Sequence, residues 1–105
     1  MSDIRTIYVG KKPVHVYVAA VLHAMQAGDR EVELVARGNA IRIAIDTAEI
    51  CRRRNGHIAG LLPAEMNNKG VEIGTEKVEM EDTTRIMSFI KIQLEGVGDF
   101  PSDEE

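Results

Sequence analysis

Twice within its first 55 residues the chain changes its hydrophobic period from the two-residue alternation of a strand to the spacing of a helix. Each change falls at a glycine flanked by positive charge. Ile4 to Val9 reads as a strand that runs into Gly10-Lys11-Lys12-Pro13, after which Val14, Tyr17, Val18, Val21, Leu22 and Met25 recur at helical spacing up to Gly28. Glu31 to Ala36 alternates again, with Val32, Leu34 and Ala36 on one side, and then meets Arg37-Gly38-Asn39. A second helix follows to about Arg53. Pro13 suits a helix start because its missing N–H costs nothing there, and Asn39 suits an N-cap.

The second helix carries its main apolar face on Ile41, Ala44, Ile45, Ala48 and Cys51, with a lesser stripe of Ile43 and Ile50 beside Thr47. A helix apolar on two sides suggests a second contact, such as a dimer. Arg42, Asp46, Glu49 and Arg53 form a charge ladder at helical spacing. Residues 54–70, with Asn55-Gly56, Gly60, Pro63, Asn67-Asn68 and Gly70, read as an irregular connection holding one helical turn near Pro63. Val71, Ile73 and Thr75 open a third strand, and Ile86, Ser88, Ile90, Ile92 and Leu94 define a fourth. The polar stretch Glu79 to Thr84 makes the pair a long antiparallel hairpin. The order β-α-β-α-β-β predicts an α/β (α+β) two-layer sandwich, a four-stranded mixed sheet with both helices on one face. One domain is expected over residues 1–96, followed by a disordered acidic tail over 97–105.

Several function classes are excluded or disfavoured. No apolar run approaches the roughly 20 residues of a membrane helix, and Cys51, the single cysteine, has no intrachain partner. His15 and His23 are separated by about 12 Å along one helix, too far to share a metal. Cys51 lies on an apolar face, while Asp46 and Glu49 have arginine neighbours. No cofactor, metal, small-molecule substrate or enzymatic activity is expected.

Charge points elsewhere. The net charge is -4, but residues 1–55 carry nine Lys/Arg against six Asp/Glu, and residues 56–105 carry four against eleven. Asp99, Asp103, Glu104 and Glu105 crowd the last seven residues. The positive charge therefore gathers at the two strand–helix junctions. Gly10-Lys11-Lys12-Pro13 lacks the upstream glycine and the following Ser/Thr of a Walker A loop, yet it sets two cations at the positive end of a helix, an anion site. Arg37-Gly38-Asn39 repeats the arrangement, and Arg52-Arg53-Arg54 suits the negative end of the second helix. The absence of Trp, with only four Phe/Tyr, argues against a base-stacking platform.

Ile7-Tyr8-Val9-Gly10-Lys11-Lys12-Pro13-Val14 with Tyr17-Val18, then Ala36-Arg37-Gly38-Asn39-Ala40-Ile41, then Ala44 to Ile50, and finally Ile73-Gly74-Thr75 resemble the Alba family of archaeal chromatin proteins. The resemblance spans about residues 4–95. It implies a homodimer with the fold of the C-terminal domain of translation initiation factor three, binding double-stranded DNA, RNA or both, at the chromosome or nucleoid of the cytoplasm. It further implies phosphate contacts from Lys11 and Lys12 with Arg37 beside them, hairpins laid along the minor groove, and regulatory acetylation at Lys11. Asn39, Arg42, and Lys77 and Arg85 at the hairpin base complete the expected interface.

The chain departs from that family's pattern at Asn39, where a second arginine is usual, at Ile43, where a lysine is usual, and at Asn55, where a Phe commonly mediates contacts between dimers. With an acidic hairpin and tail, these departures imply weaker, more salt-sensitive binding. They also keep open an RNA-processing particle component and a protein-interaction module with weakened nucleic-acid binding.

Overall fold

The computed structural model describes residues 4–101. Strand β1 (Arg5–Val9) leads to helix α1 (Val14–Gln26), and β2 (Glu31–Arg37) passes through a 3-10 turn (Gly38–Ala40) to helix α2 (Ile41–Arg53). A second 3-10 turn (Ala59–Leu61) precedes the long hairpin of β3 (Glu65–Glu79) and β4 (Thr84–Val97). The sheet order is β1-β2-β4-β3, with β1 and β2 parallel and the other pairs antiparallel. This is the expected mixed sheet with two helices. No helix among the described residues is long and apolar enough to cross a membrane.

The alternation in β2 and β4 sends Val32, Leu34, Ala36, Ile90, Ile92 and Leu94 to one face, where they meet Val18, Val21, Leu22 and Met25 of α1 and Ala44, Ala48 and Cys51 of α2. Each fully buried aliphatic side chain contributes roughly 1.5–3 kcal/mol of transfer free energy, so this layer supplies most of the driving force. Thr47 is the one buried polar side chain among the described residues, and its hydroxyl donates to the Ile43 carbonyl at 2.8 Å.

Helix α1 ends in a Schellman arrangement. Gly28 takes φ +115, its N–H donates to the Met25 carbonyl, and the Asp29 N–H reaches the Ala24 carbonyl. Helix α2 ends the same way on Arg54, at φ +51, a conformation that favours glycine. The Arg54 guanidinium donates to the Gly60 carbonyl at 2.9 Å and ties the following loop to the helix end.

Four local expectations are corrected. The third strand begins at Glu65, because Asn67-Asn68 and Gly70 mark a β-bulge inside β3 and not a turn; the Gly70 N–H donates to Asn68 Oδ1 at 2.9 Å and satisfies the irregularity locally. Asn39 makes no side-chain cap; the 3-10 turn supplies the first hydrogen bonds of α2 instead. The arginine that pairs with Glu49 is Arg52, through Nε and Nη2 at 2.9 and 2.8 Å, and this ion pair lowers the Glu49 pKa. Finally, Ile43 and Ile50 pack against the core, while Ile45, expected inside, is exposed.

The chain stays tied down past residue 97. The Ala64 N–H donates to the Asp99 carbonyl at 3.0 Å, Arg30 Nη1 donates to the Gly98 carbonyl at 2.8 Å, and the Arg30 guanidinium lies 4.8 Å from the centre of the Phe100 ring. The tail expected from 97 is thus anchored through Phe100 against Arg30; residues 102–105 lie outside the described ones.

Candidate nucleic-acid interface

The parallel pairing of β1 with β2 sets Val9 opposite Ala36. Gly10-Lys11-Lys12-Pro13 therefore leaves the sheet beside Arg37-Gly38-Asn39, at one end of adjacent strands. The two cationic turns converge.

The Tyr17 hydroxyl holds the first turn from below. It accepts the N–H of Gly10 at 2.8 Å and of Lys12 at 3.1 Å. The backbone donors expected to be free for an anion are thus turned inward, and Tyr17 itself is buried. The Lys11 and Lys12 side chains remain exposed, and neither has an acidic partner among the described residues. They line a groove of about 540 Å³ together with Tyr8, which is 70% exposed.

The second turn is built differently. Gly38 sits at φ +55, and a Cβ there would come within 3.2 Å of the Met87 methyl. Both conformation and space favour glycine. Gly38 and Asn39 face Arg85 and Met87 of β4 across a cleft of about 500 Å³. Arg37 is engaged: its Nε donates to Glu76 Oε2 of β3 in an ion pair that raises the arginine pKa further.

The remaining expected residues divide. Arg42 stands almost fully exposed on the first turn of α2, with Asp46 at 3.8 Å. Lys77 pairs with Ile86 on the opposite sheet face from Glu76, so it does not join Arg37. Asn39 and Arg85 meet at the cleft. Lys11, Lys12 and Arg37 occupy the shared edge. Sequence reasoning missed Tyr8, Tyr17 and Glu76. Tyr8 was readable from alternation, since its neighbours Ile7 and Val9 face the core side.

One further surface matters. Ile45, Val71, Ile73 and Ile86 are exposed on the helix side of the sheet, at 43, 54, 74 and 70%. Ile73 lines an apolar groove of about 490 Å³ with Ile41 and Ile90. Chemistry is sparse by comparison. No group of three or more metal-ligating side chains occurs among the described residues, and burial pushes the Cys51 thiol up to about 12, leaving it protonated at neutral pH.

Comparison with known proteins bears on the fold and the family. The Alba family model matches residues 5–62. The chain is 42% identical over 89 residues to DNA/RNA-binding protein Alba 1 of Archaeoglobus fulgidus, covering 85% of this chain and 92% of that protein. It is 34% identical over 94 residues to DNA/RNA-binding protein Alba of Methanothrix thermoacetophila, covering 90% and 98%. Among solved structures, Alba from Thermoplasma volcanium superposes with a TM-score of 0.72 at 31% identity, over 87% of this chain and 99% of that one. ALBA1 from Trypanosoma brucei, at 16% identity, shares the fold, with a TM-score of 0.66 over 91% and 72%. With a matching family model and relatives aligned over nearly their whole length, the chain belongs to the Alba family.

Proposed function

We propose that this protein is a homodimeric, largely sequence-independent binder of duplex nucleic acid, DNA or RNA, that organises the chromosome at the nucleoid without enzymatic activity. The observation that carries the reading is the Val9–Ala36 pairing, which brings the Lys11/Lys12 turn and the Arg37-Gly38-Asn39 turn to one edge, with both lysines free of acidic partners among the described residues. Both relatives are named as DNA/RNA-binding, which supports the partner class. Lys11 and Lys12 lead the phosphate contacts, with Arg37, Asn39, Arg42 and Arg85 behind them and Lys77 on the arm. Lys11 is the expected acetylation site. Phosphate contacts fix position without reading sequence.

A second copy fits the exposed apolar side chains Ile45, Val71, Ile73 and Ile86, because exposed apolar surface of this kind marks a protein contact and not a nucleic-acid one. A dimer doubles the phosphate contacts to about six to eight, which predicts a loss of about 10³-fold or more in affinity between 50 and 200 mM salt. Titrating salt against duplex DNA and duplex RNA, with wild type and Lys11→Ala/Lys12→Ala, tests this. Uniform weakening across sequences and a shallower salt slope in the variant are expected. A flat salt response, or loss confined to particular sequences, would overturn the mechanism.

A further inference from the structure

We propose that Glu76 is an internal competitor for nucleic-acid phosphate at Arg37, keeping that arginine out of the interface in the free protein. The proposal rests on the nucleic-acid reading above and concerns the regulation of the same edge.

Arg37 is the last residue of β2 and pairs with Phe89 of β4, while Glu76 of β3 pairs with Met87 on the other side of β4. Both side chains lie on the sheet face turned away from the helices. The guanidinium reaches across the central strand to the carboxylate, and Nε is the atom engaged.

Other interface cations are held differently. Lys11 and Lys12 have no acidic partner among the described residues, and Arg42 stands 3.8 Å from its partner with most of its side chain in solvent. Arg37 alone among these is bound closely by an acid from another element. The pair is half-exposed, at 46 and 34%, so solvent screens it and a stronger acceptor can displace the carboxylate. A phosphate is such an acceptor, since it offers two oxygens to the guanidinium fork. Glu76 cannot leave with it, because its backbone is fixed in the β3–β4 ladder. Every phosphate contact at Arg37 therefore leaves a carboxylate stranded beside the bound polyanion. The acid lowers the affinity of the edge and sets Arg37's share of it.

Glu76→Gln isolates the charge, because glutamine keeps the length and a carbonyl acceptor for Nε–H. Duplex binding is expected to tighten about three- to tenfold near 100 mM salt, and the log–log salt slope to steepen by about 0.9 per subunit as Arg37 joins the contacts. In an Arg37→Ala background the same substitution should change neither quantity. Unchanged or weaker binding by Glu76→Gln, with wild type binding normally, would overturn the proposal, since the carboxylate would then be orienting Arg37. Binding by Glu76→Gln alone would support it. Were neither protein to bind duplex at low salt, the reading of the edge would fall and this proposal with it.

Discussion

The Tyr17 hydroxyl and the Cys51 thiol show how far single residues can be read from a pattern. Helical spacing placed both on buried faces, and both are buried. It gave no sign that the Tyr17 oxygen gathers two N–H groups of a loop five and seven residues upstream, because that contact depends on how the turn folds back over the helix. Cys51 gives the residue-scale prediction. Burial raises its pKa to about 12, so the folded state keeps the proton over a range in which the unfolded chain releases it. Its contribution to stability is then complete below the ordinary thiol pKa and is lost as pH rises from about 9 towards 12. Chemical unfolding across that range should show a steeper alkaline loss for wild type than for Cys51→Ala. Alkylation at pH 8 should proceed only as fast as the protein opens. Rapid labelling of the native state would contradict the burial.

At the scale of elements, the strand and helix order was legible because each element keeps its own period. The exceptions lie where the period breaks. The bulge in β3 puts Met66 and Val71, five residues apart, on the same face, so no two-residue alternation spans them, and the first half of the strand reads as loop. The outward lean of Ile45 was illegible for another reason. Periodicity shows that a residue is apolar and on a face, not which neighbour meets that face. Helix α2 buries Ala44, Thr47, Ala48 and Cys51 under the sheet, turns Ile41 towards Ile73 of the hairpin and leaves Ile45 exposed. If a second copy covers that stripe, Ile73→Lys should yield a folded chain sedimenting at 11.6 kDa, with duplex affinity reduced at least tenfold by loss of half the contacts. A dimer of undiminished mass would show that the copies meet elsewhere.

For the whole molecule, the distribution of charge matters more than its sum. The anchored segment ends with Phe100 beside Arg30, at the start of β2, whereas Lys11 lies past the far end of β1. About six strand residues, or roughly 20 Å, separate those levels. Cutting the chain at 97 should remove the Arg30 and Ala64 contacts to Gly98 and Asp99 and lower the melting temperature, whereas removing residues 102–105 should leave it unchanged. A melting temperature unmoved by the cut at 97 would show that those contacts add no stability. The local kink between Asn68 and Gly70 has a similarly long reach. If β3 slid by one residue along β4 to absorb the kink, every side chain of the arm would swap sides. Thr75 would then stand opposite Met87 in place of Glu76, and Val71 and Ile73 would turn from the helices to the bare face. One looped-out residue far from the edge thus decides whether Arg37 meets a carboxylate or a neutral hydroxyl.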